Sequence, residues 1–229
     1  MKHFQSTYLR GACLVLSLSA CASGPPPAEW KLNARDALES ASYAYLTGNQ
    51  RLAESQFQLA RKEIASSGKL DLMAKAQLTR CAQRIASLDF AACSEFEPLA
   101  QDASATERAY AAFLAGDWDK LKAEQLPAQH QAIFNAKTSP ERLAALKAQN
   151  DALARLIQAA LLLRQQQLMP EGIALAVESA AEQGWRRPLL AWLGVQQQRA
   201  QAMGDSALAA QVQRRMALVG EMPVDAVKK

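Results

Sequence analysis

Apolar residues recur along this chain at helical spacing, and turn-forming residues interrupt them every two to five turns. The clearest stripe is Ala53, Phe57, Ala60 and Ile64, which fall at i, i+4, i+7 and i+11 and predict a helix over 50–66. Gly48-Asn49 separates it from a preceding helix over 30–46, and Gly68 closes it. Helix, short break, helix is an αα-hairpin. A third helix is predicted over 70–88, with Ala74, Leu78, Cys81, Ile85 and Leu88 along one face. Residues 89–94 then read as a turn, and Pro98 opens or interrupts a short helical stretch.

The second half repeats the pattern with different punctuation. A helix over 106–115 ends at Gly116-Asp117-Trp118, and Pro127 breaks the chain after an element over 119–126. Ser139-Pro140-Glu141 has the order of a helix start: Ser as N-cap, Pro at the first position, an acid in the first turn. That helix stops or bends near Asn150-Asp151. Over 153–168, Leu153, Leu156, Ile157, Ala160 and Leu161 share a face that Leu162 and Leu163 widen, which predicts the most buried helix. Further helices are predicted over 172–183, 189–203 and 206–219, the last striped by Leu208, Val212, Met216 and Val219. Residues 220–229 carry Pro223 and no sustained pattern, and loose packing is expected there.

The turns and stripes bring a family into view. Gly48, Ala53, Phe57 and Ala60 stand where a tetratricopeptide repeat places its inter-helix Gly and the Ala, aromatic and Ala of its second helix. Gly permits the turn, the two Ala let backbones approach, and the aromatic fills the gap between hairpins. A second Gly-acid turn, Gly116-Asp117, lies about two repeat periods beyond Gly48, and Gly204-Asp205 is a third. The first helix lacks the family's Trp and Leu-Gly, so the chain resembles a degenerate form. The resemblance implies stacked antiparallel hairpins in a right-handed superhelix over 29–219, with a possible sub-boundary near 137–139, presenting a concave surface for peptides or partner proteins.

Composition agrees on fold class. Ala, Leu, Gln, Arg and Glu are abundant, Val and Ile sparse, and aromatics only 6%, so an all-α chain of about 9–11 helices is predicted. The net charge is +4, with no dense Lys/Arg cluster, which argues against a nucleic-acid partner.

The amino terminus changes the picture most. Lys2, His3 and Arg10 form a basic region with no acid, followed by the short apolar run 11–20. That run is far shorter than the roughly 20 residues a membrane-spanning helix needs. Leu18-Ser19-Ala20-Cys21 resembles the lipobox of bacterial lipoprotein signals, against the alternatives of an uncleaved apolar helix or an ordinary cleaved signal. The resemblance implies removal of 1–20, covalent lipid on Cys21, and a Pro-rich linker over 21–28. Removal would take Lys2 and Arg10 away, leaving +2. Residue 22 is Ala rather than Asp, which in this family implies the periplasmic face of the outer membrane in a Gram-negative envelope.

Candidate chemistry is thin elsewhere. Cys81 and Cys93 are the cysteines left after the anchor, and export favours a disulfide over two buried thiols. His130, the one histidine past the leader, reads as a polar residue on a short helix, without the further ligands of a zinc site. No G-x-S-x-G, P-loop or H-E-x-x-H occurs, and the pairs Glu95/Glu97 and Asp117/Asp119 read as solvated first-turn charges. The chain therefore reads as no enzyme and as binding no cofactor beyond its lipid. Trp185-Arg186-Arg187 is the strongest candidate partner-binding patch, since Trp and Arg are enriched at hot spots. The alternative is that Trp185 caps a helix junction and the arginines are solvated. The resulting expectation is a lipid-anchored adaptor or assembly factor for other envelope proteins or peptides. The alternative is a non-catalytic cell-wall-associated or wall-enzyme-regulating lipoprotein, or a structural spacer. The sequence carries no signature of oligomeric state.

Overall fold

In the computed structural model, which describes residues 28–221, several helices begin or end on local chemistry. In the first hairpin, α1 (Glu29–Thr47) stops at Gly48, whose φ of 94° is the left-handed cap that glycine adopts without a Cβ penalty. Asn49 then caps α2 (Gln50–Ser66), accepting from the Leu52 N–H at 3.1 Å. Ala53, Phe57, Ala60 and Ile64 are all buried, as their spacing predicts.

The third helix, α3 (Leu70–Ala86), ends two residues before the predicted boundary. Leu88 continues the apolar stripe but takes a positive φ of 62°, because the chain reverses there to bring residue 93 back to residue 81. A loop with one 3-10 turn, Glu97–Leu99, leads to α4 (Ala105–Ala115), where Ser104 and Glu107 form a reciprocal capping box. The element predicted over 119–126 is reduced to a 3-10 turn, Ala123–Gln125. After α5 (Ala128–Asn135), the N-cap of α6 (Ser139–Ala148) is Thr138 rather than Ser139. Thr138 accepts from the Glu141 N–H while Glu141 reaches back to the Thr138 N–H.

Four helices complete the described chain: α7 (Ala152–Arg164), α8 (Pro170–Glu182), α9 (Arg186–Ala202) and α10 (Ser206–Glu221). The helix predicted over 153–168 stops at Arg164, since Gln166 turns left-handed at φ 58°. The helix predicted to begin at 189 begins at Arg186, which puts Pro188 in the first turn, where its missing N–H costs nothing. The last helix runs through Gly220 to Glu221, past its predicted end at 219. The fold is all-α, with ten α-helices, two 3-10 turns and no strand among the described residues. None of these helices is long and apolar enough to cross a membrane.

The core centres on α7. Leu156, Ile157, Ala159, Ala160, Leu161 and Leu162 are essentially fully buried, between α3 on one side and α8 on another. Arg155 ties three helices there, with Nε donating to Leu146 O (3.1 Å) and Nη1 to Ser179 Oγ (2.8 Å). Trp192 of α9 is fully buried and donates to Ala86 O at the end of α3 (3.1 Å). A smaller core belongs to the first hairpin and α3: Ala34, Ala41, Phe57, Ile64 and Ala76, flanked by Leu38, Leu72 and Met73. Helices remote in sequence also meet, α1 with α9 and α3 with α7, so the chain returns on itself as well as pairing neighbours.

Candidate functional site

An open, largely apolar groove lies where α1 and α3 run side by side. Trp30 and Leu38 of α1 stand on one side and Leu72 of α3 on the other, and buried Ile64 at the end of α2 also lines this groove of about 530 Å³. Ala34 and Ala76 are buried, so small side chains make the floor. One turn beyond the last lining residues, Gln83 donates to Ser42 Oγ at 2.6 Å and bridges the two helices. The groove therefore opens toward the first turns of α1 and α3.

The rim is charged. Lys31, Arg35, Lys69 and Lys75 border it, against Glu39 and Asp71. Arg35 pairs with Glu39 at 2.8 Å, and Lys75 lies 3.3 Å from Glu107. Lys31 sits over the Trp30 ring, 5.7 Å from its centroid. A second hollow, of about 530 Å³, opens on the other side of the exposed Lys75–Thr79 row of α3 and is bordered by Ser104, Glu107 and Tyr110. The Glu107 carboxylate there is buried, and its Oε1 meets Lys75 without a hydrogen bond.

These groove residues were not singled out in the sequence. The signal was present: Trp30, Ala34 and Leu38 recur at i, i+4 and i+8, and Leu72 and Ala76 form a second stripe on α3 beside Ala74, Leu78, Cys81 and Ile85. A helix with two apolar faces has two neighbours or one neighbour and an open surface.

The Trp185-Arg186-Arg187 segment is half-buried, and both arginines contact their own chain. Trp185 is the N-cap residue of α9 and is partly buried against the main core. Arg187 Nε donates to Tyr45 O and Nη2 to Gln50 Oε1, both at 2.8 Å, with the guanidinium 4.3 Å from the Tyr45 ring centroid. Arg186 Nη2 donates to Gly220 O at 3.0 Å. These contacts fasten the first hairpin and α10 to α9.

Histidine 130 is a core residue on α5. It is 1% exposed, its ring centroid lies 5.3 Å from that of Tyr110 and 5.0 Å from that of Phe113, and its Nδ1 is 3.2 Å from Gln158 Nε2. Burial lowers its pKa to about 4, with the Asp151 charge opposing weakly. The same burial raises the Tyr110 phenol above its ordinary value. The imidazole packs against both rings within the core.

The structure joins Cys81 on α3 to Cys93 by a disulfide, with Cα atoms 5.8 Å apart. Arg84 also ties that loop, donating to Ala92 O at 2.8 Å. Glu95, Glu97, Asp117 and Asp119 are exposed, and the backbone N–H of Glu95 holds its carboxyl below the usual range. Among the described residues no cluster of His, Cys, Asp and Glu could hold a metal ion. Cys21, the rest of the leader and linker up to residue 27, and residues 222–229 lie outside the described residues. Comparison with known protein families, curated proteins and solved structures finds no match.

Proposed function

We propose that this chain is a lipid-anchored adaptor or assembly factor of the bacterial envelope, held at the periplasmic face of the outer membrane by Cys21 and binding partner proteins through the groove between α1 and α3. The observation that carries this reading is the position of the groove. Its first lining residue, Trp30, follows Cys21 by nine residues, so a tether of about 30 Å at full extension would separate the lipid from the binding surface. Confinement of that kind raises the effective concentration of any partner sharing the membrane. The left-handed Gly48 turn and the buried Ala53, Phe57 and Ala60 support a tetratricopeptide-like reading of this hairpin.

Two measurements test the proposal. Cys21→Ser is expected to release the protein from the membrane fraction, and unchanged fractionation would sink the lipid anchor. Crosslinking of the lipidated protein in its native envelope, read by mass spectrometry, is expected to return a reproducible protein partner. Retention on peptidoglycan with no protein crosslink would overturn the adaptor reading in favour of a wall-associated module.

A further inference from the structure

Resting on the adaptor reading, we infer that the groove between α1 and α3 accepts an amphipathic helical segment of a partner protein, one with an apolar face flanked by acidic residues. Three features of the surface specify this chemistry. The first is shape. Small Ala34 and Ala76 on the floor and Trp30, Leu38 and Leu72 on the walls make a trough that a row of apolar side chains can enter. The second is length. The lining runs from Trp30 to Glu39 on α1 and from Lys69, the N-cap residue of α3, to Thr79, roughly three turns of each helix, which suits a segment of polypeptide. The third is charge. Lys31 and Lys69 stand at the open mouth on opposite walls, and neither forms an ion pair with another described residue. The amino termini of α1 and α3 point to the same mouth and add partial positive charge there. Glu29 and Asp71, in the first turns of the two helices, offset part of this field; among the lining residues four basic groups, Lys31, Arg35, Lys69 and Lys75, stand against Glu39 and Asp71.

The apolar contact supplies affinity, and the cations select against basic helices by like-charge repulsion. The test uses the full lipidated chain in nanodiscs of neutral phosphatidylcholine, with two synthetic probes of about 18 residues, long enough to hold a helix. Both carry Leu and Ala on one face; the flanking residues are Glu in one and Lys in the other. Fluorescence anisotropy is expected to show binding of the Glu peptide and binding at least roughly tenfold weaker for the Lys peptide. The double variant Lys31→Glu/Lys69→Glu is expected to reverse that order with unchanged melting, since both side chains are exposed. Trp30→Ala, at a helix start where folding depends on it little, is expected to weaken both peptides. Equal affinity for the two peptides, or indifference to the charge reversal, would overturn the inference. So would the absence of peptide binding together with co-sedimentation on phosphatidylglycerol vesicles that the charge reversal abolishes, an outcome that would reassign the surface to membrane. Envelope crosslinks from exposed Leu218 but none from Leu72 would remove the groove and leave the adaptor reading standing; no protein crosslink from either would remove both.

Discussion

The Arg187 guanidinium lies 4.3 Å from the Tyr45 ring centroid while its Nε donates to the carbonyl of the same residue at 2.8 Å, joining helices separated by 142 positions in sequence. One side chain thus supplies a cation–π contact, a charge-assisted hydrogen bond to a helix C-terminus, and a bond to Gln50. Arg187→Ala is expected to cost about 1–3 kcal/mol. Hydrogen exchange should rise specifically over 29–66, because the first hairpin loses a tie to α9. Arg187→Lys should recover little, since a point charge cannot make the forked contact. Equal exchange in wild type and variant would show that the hairpin is held by other contacts.

His130 makes stability depend on pH in one direction. Its folded-state pKa of about 4 lies below the ordinary value of 6.5, so the unfolded chain takes up a proton first as pH falls. Its contribution is complete above pH 6.5 and is lost as pH drops toward 4, by on the order of 3 kcal/mol. His130→Phe keeps an aromatic ring beside Tyr110, and Gln158 still donates to Gln129 O at 2.7 Å. Urea midpoints measured across this window should fall less steeply in the variant. Parallel curves would place the pH dependence in the carboxylates instead.

Closing the loop from Cys81 to Cys93, 12 positions apart, restricts the unfolded chain by about 3 kcal/mol in the chain-entropy picture. The double variant Cys81→Ser/Cys93→Ser should lose that much and still fold, because Arg84 and buried Phe96 also hold the loop. Reductant should lower the urea midpoint of wild type to that of the variant and leave the variant unmoved. A wild-type midpoint insensitive to reductant would count against the bridge.

Phe57 is 5% exposed, with the Arg80 guanidinium 4.8 Å from its ring centroid, and it is the largest side chain of the smaller core. Phe57→Ala is expected to cost about 3–5 kcal/mol. The damage should concentrate in α1 and α2, whose other core residues are mostly alanine. Near-wild-type melting would mean that this stripe is not what holds the hairpin.

How far the sequence was legible follows the range of the forces involved. The stripe Ala53/Phe57/Ala60/Ile64, the Gly48 turn and the burial of Leu156 to Leu162 were readable because helical period and turn chemistry act within a few residues. Boundaries failed where a distant constraint took over. Leu88 satisfies the helical stripe and still turns left-handed, because the chain must return to Cys81. Ser139-Pro140-Glu141 was one residue out of register because Thr138 offers the same hydroxyl with Glu141 three positions on, which completes a capping box.

Trp185-Arg186-Arg187 and the α1/α3 groove mark the other limit. An arginine looks the same in sequence whether it faces a partner or a carbonyl of its own chain; only the approach of α9 to α1 decided that Arg187 is an internal fastener. The groove depends likewise on α1 and α3 being brought side by side, as the Gln83–Ser42 bond shows. By itself the sequence determined that the chain is helical, where most helices fall and which faces are apolar, since those properties are local. Which apolar faces found a neighbour, and which one was left open, was decided by the tertiary structure, because burial is settled only by what arrives from far along the chain.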